Sequence, residues 1–405
     1  MREYSTTRRV SEMGTVQGGR QRSPHLTSGD MTPYLRVANV FDGYINTSDV
    51  LEMPFTSAEY QRYELKIGDL LLNEGQSLEL VGRCAKYEGV PKNCCFQNTL
   101  VRFQAGHECD VDYAYQLFRW CQASGVFAKI ATKTNSIAHL GSTRFGDLEL
   151  YFPPLPEQRR IASILSQWDD SLSILSQLIE AKRQQKRGLA ELLLTGKRRL
   201  PGFADEWAEM TMGSVFARVT RKNTEGNDHA LTISGIHGLI DQREFFNKRV
   251  AANDLSGYYL LRRGEFAYNK SYSTGYDYGA IKRLNRYDAG VVSTLYICFA
   301  LKREDAVSDF YEHYFEANLL NEGIAGIAQE GARNHGLLNV SVVDFFELPL
   351  PFPPPSEQQA IASVLSTLDT EIASLDALKA KVAEQKRGLM DALLTGRVRV
   401  KVEEV

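Results

Sequence analysis

The sequence predicts an α+β protein built as an internal repeat, in the order globular domain, long helix, globular domain, long helix. Three observations predict it. From Glu157 the chain reads EQRRIASILSQWDDSLSILSQLIEAKRQQKRGLAELLLTG, and from Glu357 it reads EQQAIASVLSTLDTEIASLDALKAKVAEQKRGLMDALLTG. The pairs Glu157/Glu357, Asp169/Asp369, Lys186/Lys386, Gly188/Gly388 and Gly196/Gly396 fall in register at an offset of 200 residues without a gap. Within each block the apolar residues recur at alternating spacings of four and three, the mark of a helical seam. Outside the blocks the chain runs in short β-rich stretches punctuated by Gly, Asn and Asp, with one helical stretch in each half.

The repeat extends more weakly beyond the helices. LKIGDLLLNEGQS from Leu65 resembles LLRRGEFAYNKSYS from Leu260, and DLELYFPPLPEQ from Asp147 resembles DFFELPLPFPPPSEQ from Asp344. SEMGTV, YLRVANVFDGYI and NTLVRFQA have fainter counterparts in the same order. The divisions expected are 1–152 and 200–352 for the two globular parts, 153–199 for the first helix, and 353–405 for the second helix with its tail.

Prolines precede both helices, at Pro153, Pro154 and Pro156 and at Pro353, Pro354 and Pro355, where an extended entry and a first helical turn tolerate them. Glu157 and Glu357 then occupy a first turn, where a carboxylate suits the positive helix end, and Ser356 is the expected N-cap of the second helix. Gly196 and Gly396 suit the C-terminal caps, with Lys197, Arg198, Arg199 and Arg397 near the negative end. The first seam is Ile161, Leu165, Trp168, Leu172, Leu175, Ile179, Leu189 and Leu193. The second is Ile361, Leu365, Leu368, Ile372, Leu375, Val382, Leu389 and Leu393. A helix of ~39 residues spans ~58 Å at 1.5 Å per residue, far beyond an ordinary core helix, and its simplest partner is the other copy. Lys182, Lys186, Lys379 and Lys386 interrupt the seam, as snorkelling stems, as a weakened or hydrated stretch, or as a surface facing a partner. Asp169 and Asp170 read as a solvated helix face, because adjacent helical residues point in different directions.

In the globular parts, strands are expected at Tyr34–Val40, Asp69–Leu72 and Thr99–Phe103, then at Leu231–Ile236, Glu265–Tyr268 and Val291–Leu301. Helices are expected at Val111–Ser124 and Asp305–Leu320.

Composition narrows the function. The 405 residues carry 47 basic and 50 acidic side chains, a net charge of −3, which excludes a protein coated in positive charge but not one with a basic face. No apolar run approaches the ~18 residues of a membrane span, and the polar first twenty residues lack a secretory core. The cysteines, Cys84, Cys94, Cys95, Cys109, Cys121 and Cys298, show neither disulfide density nor zinc-ligand spacing and read as reduced, buried thiols. Phosphate-loop, HExxH, GxSxG and dinucleotide motifs are missing, and the seven histidines are scattered.

What remains are polar, basic and aromatic clusters on loops. The first part holds GGRQRS with Arg20 and Arg22, NEGQS with Asn73 and Gln76, then Arg83, and ATKTNS with Lys133 and Asn135. The second holds ARVTRKN with Arg218, Arg221 and Lys222, and YNKSYSTGYDYG with Asn269, Lys270, Tyr272, Ser273 and Tyr276. EGARNHG adds Arg333 and Asn334. Arg, Lys, Asn and Gln pair with purine edges, and Lys, Ser, Thr and Tyr hold phosphates. The tyrosine-rich segment also suits a protein-binding loop.

At these residues a family suggests itself. LPEQRRIASILSQWDDSL…QKRGLAELLLTGKRRLPGF, followed by Trp207, resembles the central conserved region of specificity subunits of type I restriction–modification systems. PPPSEQQAIASVLSTLDTEI…QKRGLMDALLTGRVRV resembles their distal conserved region. FAYNKSYSTGYDYGAIKRL is the most recognisable piece of the globular parts, while the amino-terminal part lacks an obvious counterpart to Trp207.

The resemblance implies two target recognition domains, each reading half of a split double-stranded DNA sequence. It implies two conserved helices forming an antiparallel coiled coil with pseudo-two-fold symmetry, which acts as a ruler. It implies a non-catalytic subunit, without a cofactor of its own, on which two modification subunits dock to methylate adenine N6 from S-adenosylmethionine. Two motor–nuclease subunits using ATP and Mg can join them. The setting it implies is the bacterial or archaeal cytoplasm, at the nucleoid through DNA and away from membranes. The rival readings are a coiled-coil scaffold whose domains bind proteins, and a stand-alone enzyme.

Overall fold

The computed structural model describes residues 7–22, 27–235, 237–246, 254–271, 275–328 and 338–401. The chain divides into two compact units, one of Met1–Ser176 with Ala377–Val405 and the other of Gln177–Asp376. The long helices are Leu155–Leu194 and Pro355–Leu393, so each unit owns a globular domain and a segment of each helix.

The first unit centres on an antiparallel sheet in the order Gly14–Gly18, Leu100–Ala105, Leu70–Asn73, Cys84–Lys86. The helix Val111–Ala123 buries Tyr113, Leu117, Phe118 and Cys121, and Asp110 caps it by accepting from the Tyr113 amide at 3.0 Å. Phe118 meets Phe103 and Phe145 edge-on, which fixes helix to sheet through the geometry aromatic rings prefer. The second unit repeats this plan. Its sheet runs Phe216–Arg218, Ile297–Leu301, Phe266–Asn269, Ala280–Arg283, and the helix Ser308–Glu316 brings Phe315 onto Phe266 and Phe299. A two-stranded pairing opens and closes each domain, Thr7–Arg9 with Glu149–Tyr151 and Ala208–Thr211 with Pro349–Phe352.

Three expected elements shift. The strand expected over Tyr34–Val40 is Asp30–Leu35, because the Asn39 side chain accepts from the Arg36 amide and closes a turn. The run Val291–Leu301 breaks into Ala289–Val292 and Ile297–Leu301 at a turn in which the Tyr296 amide donates to the Ser293 carbonyl. The helix expected over Asp305–Leu320 stops at Glu316, with Asn318 in the left-handed region at φ 58°.

In both units the two helical segments pack antiparallel. In the first unit Ile161, Leu165, Leu393 and Leu394 share the domain core; in the second Leu193, Leu194, Ile361 and Leu365 do. Every seam residue named above is buried or half-buried. Each Leu or Ile that is fully covered contributes about 1.5–3 kcal/mol. Ser356 is no N-cap: the helix starts at Pro355, and the Pro354 carbonyl accepts from the Glu357 and Gln358 amides at 2.9 and 3.0 Å. Gly196 and Gly396 do end the helices, at φ 70° and 73°, and a Cβ on Gly396 would stand 2.6 Å from the Tyr151 ring.

The repeated EQ pair does more than face a helix dipole. In the first unit Glu157 accepts from the Arg399 guanidinium at 2.7–3.1 Å and from the Val400 amide at 3.1 Å. In the second, Glu357, fully buried, accepts from Arg199 at 2.6 Å and from the Trp207 indole at 2.8 Å. Gln158 and Gln358 each donate to the carbonyl of the proline five residues before, both at 2.8 Å. They also accept the Asp110 and Val307 amides, again at 2.8 Å.

Two of the seam lysines, Lys186 and Lys386, are each paired with a carboxylate of the other helix. Lys386 donates to Asp169 at 2.5 Å in the first unit, and Lys186 to Asp369 at 2.5 Å in the second. Asp169 therefore departs from a solvated face. It also accepts from Gln116 at 2.7 Å and lies 3.4 Å from Arg119, while Asp170 is exposed. Burial pushes the Asp169 carboxyl up, and the hydrogen bonds from Lys386 and Gln116 outweigh it, holding the group below its ordinary range. All six cysteines are buried free thiols, five in the first unit and Cys298 in the second. Among the described residues no helix is long and apolar enough to cross a membrane.

Candidate nucleic-acid interface

Sheet topology gathers the loop clusters. In the first domain Gly18 lies opposite Val101 and Asn73 opposite Leu100, so GGRQRS and NEGQS leave the sheet at the same end. ATKTNS joins them there. Its hairpin, Thr132–Thr134 with Ile137–His139, pairs onward to Gly75–Gln76 in one small sheet, with Asn135 at its tip at φ 53°. In the second domain Arg218 lies opposite Phe299, Tyr268 opposite Ile297 and Asn269 opposite Ala280, so ARVTRKN and YNKSYSTGYDYG also share a sheet end. The Leu338 amide donates to the Lys270 carbonyl at 2.9 Å, which places the chain just after EGARNHG beside that loop.

The candidate side chains separate by surroundings. Arg22, Lys133, Asn135, Arg218 and Lys222 are exposed, and Gln76, Arg83, Arg221, Asn269, Lys270 and Tyr276 are half-buried. Lys222 donates to the Gly257 carbonyl and rests on the Tyr259 ring, and Arg221 pairs with Glu265 at 2.6 Å. Arg83 lies over the Phe41 ring. Tyr272, Ser273, Arg333 and Asn334 lie outside the described residues.

Two candidates leave the surface set. Asn73 is 0% exposed and donates to the Val40 carbonyl at 3.1 Å. Arg20 is 4% exposed, donates to Glu59 at 2.8 Å and lies over the Phe55 ring. Both hold neighbouring loops together. A side chain without accessible surface meets no base edge unless the domain opens.

Sequence reading missed Lys282, which is 3% exposed and donates to the Glu316 carboxylate at 2.8 and 2.6 Å and to the Tyr276 hydroxyl at 2.8 Å. Burial lowers its pKa, but Glu316 and Tyr276 outweigh that and hold it above the ordinary lysine range, so it stays charged. Its signal was a lysine inside the AIKRL strand of the most recognisable globular piece. The Glu157–Arg399 and Glu357–Arg199 pairs were missed as pairs, although the arginines keep the same 200-residue offset as the glutamates.

Two similar domains, each carrying divergent polar loops at one sheet end and each closed by paired helix segments, make the chain a tandem repeat of one domain plan. Comparison with known proteins makes this specific. The family described as type I restriction modification DNA specificity domain matches residues 3–182 and again 205–384. The chain belongs to that family and carries two copies of its domain.

Two specificity subunits of Methanocaldococcus jannaschii type I restriction enzymes are similar along nearly the whole chain. MjaX is 23% identical over 394 residues, covering 91% of this chain and 88% of that protein. MjaVIII is 24% identical over 380 residues, covering 86% of each. Among solved structures, a type I restriction–modification S subunit from M. genitalium shares the fold with a TM-score of 0.51 at 16% identity, covering 96% of both chains. A structure described as showing complex assembly and conformational transition of the type I system shares it with a TM-score of 0.57 at 12% identity, covering 97% of this chain and 98% of that one.

Proposed function

We propose that this chain is the sequence-reading, non-catalytic subunit of a type I restriction–modification complex. Each domain reads one half of a bipartite double-stranded DNA target through its loop-bearing sheet end, and the paired helices set the unread spacer. Modification subunits, two by the family's pattern, dock on the helices and carry S-adenosylmethionine to adenine N6. Motor–nuclease subunits, with ATP and Mg, join them for restriction.

The observation that carries this reading is the convergence of Arg, Lys and Asn loops at the same sheet end in both copies, with tyrosine added in the second, on a scaffold that is otherwise repeated. Bidentate donors of these types are what base edges in the major groove accept. DNA half-sites on one face recur every ~34–36 Å, a spacing that a helix of ~58 Å can set. Docking of partners is supported by apolar side chains left in water on the helices, with Ile174 64% and Leu378 47% exposed, and by a groove that includes Leu178 and Leu375.

The test is to map N6-methyladenine across the genome with and without this gene. A split motif that vanishes on deletion is the expected result. An unchanged methylome, together with no salt-dependent DNA binding by the chain and its partners, would favour a protein-binding scaffold instead.

A further inference from the structure

We propose that Lys282 is a positioning residue for recognition by the second domain: it holds Tyr276 in place against the Gly235 carbonyl. This rests on the DNA-reading function proposed above. The ammonium has three protons, and each finds an acceptor: the Glu316 carboxylate at 2.6 Å, the Tyr276 hydroxyl at 2.8 Å and the Gly235 carbonyl at 3.3 Å. The Tyr276 hydroxyl donates its own hydrogen bond to the same Gly235 carbonyl at 3.1 Å, and Lys282 also lies 4.8 Å from the Tyr276 ring centroid. A Cβ on Gly235 would stand 2.6 Å from Cε2 of that ring, so the tyrosine occupies the space a side chain there would need.

The scaffold does not require this charge. In the first domain Leu71 lies opposite Ala85, and in the second the matching Ala267 lies opposite Lys282. The neighbouring position is shared: Lys86 pairs with Asp112 and Arg283 with Asp309, both at 2.7 Å. A buried ammonium is costly unless fully paired, so a lysine where the sister domain has alanine points to a task particular to the second domain. That task is visible in what it restrains. Tyr276 belongs to the same loop cluster as Asn269 and Lys270, and the Lys270 carbonyl accepts the Leu338 amide, so the restraint acts beside candidate reading residues. Side chains discriminate bases only when their backbone is held to a fraction of an ångström.

The test places full-length Lys282→Met, Lys282→Arg and Tyr276→Phe variants in cells lacking the native gene and maps N6-methyladenine genome-wide, with melting temperatures of the purified chains. The expected result is relaxation of one half of the split motif by about ten-fold in Lys282→Met, with the other half unchanged. Lys282→Arg restores discrimination at that half, and Tyr276→Phe, which keeps the ring and the Lys282–Glu316 pair, relaxes the same half. An unaltered motif in both Lys282→Met and Tyr276→Phe overturns the proposal. So does equal loss at both halves with a lowered melting temperature and a silent Tyr276→Phe. A wild-type chain that yields no split motif refutes the DNA-reading function itself.

Discussion

Asn73 and Lys133 both carry side-chain donors at the loop-bearing end of the first domain, yet only Lys133 faces water. Their substitutions should separate cleanly. Asn73→Ala removes the hydrogen bond to the Val40 carbonyl and should cost about 1–3 kcal/mol of stability, read as a lower melting temperature. Lys133→Ala should leave stability within about 0.5 kcal/mol. Its effect belongs to DNA: about 1–3 kcal/mol at one base pair if it reads a base, or a uniform loss with a salt slope shallower by ~0.9 if it holds a phosphate.

A second residue carries a pH signature. His313 is 7% exposed, its Nε2 lies 3.0 Å from the Ser366 hydroxyl, and Asp369 is 3.8 Å from Nδ1. Burial, then Lys186 and Arg283, push its pKa below 6.5, against the pull of Asp369 and Asp309. Well above pH 6.5 folded and unfolded imidazoles are both neutral. As pH falls below it, the unfolded chain takes the proton first and the second unit loses stability. Melting temperature should therefore drop between about pH 6.5 and 5, and the drop should shrink in His313→Gln. Equal slopes for the two chains would refute the assignment.

At the scale of elements, the Lys386–Asp169 and Lys186–Asp369 pairs are devices of register. A single polar pair on an apolar seam disfavours every sliding of one helix along the other, because any slip leaves a half-buried charge alone. Lys386→Met should cost about 1–3 kcal/mol, less than a fully buried pair because the Asp169 side chain is 31% exposed. The reversed pair, Lys386→Asp with Asp169→Lys, should recover much of that loss in thermal melts. The seam is legible in the sequence alone, since the four-and-three spacing of apolar residues depends only on helix geometry. The partners of its lysines are not, because they come from the other helix and a single heptad pattern carries no register. Ser356 misled for a local reason: a serine before an apolar run suits a cap, but the preceding proline carbonyl already takes the first amides.

For the whole molecule, the repeat made the architecture readable, and it also shows why individual site residues resisted. Asn73 and Asn269 occupy matching strand ends, yet one is buried and the other half-buried. Composition of a loop states which chemistry is present, whereas burial depends on what folds over it. The proposed ruler makes the decisive prediction at this scale. Inserting seven residues into each long helix, so that the seams stay in phase, should lengthen the unread spacer of the methylated motif while preserving both half-sequences. An unchanged spacer would remove the ruler from the mechanism.

The arginine pairs at the helix entrances have a consequence for how the chain is made. The second unit, Gln177–Asp376, includes its own closing pair of Arg199 with Glu357. The first unit needs Ala377 onward, and its closing pair waits for Arg399. Everything the second unit needs therefore precedes Ala377, whereas the first unit cannot close its helix pair until the chain has been made through Arg399.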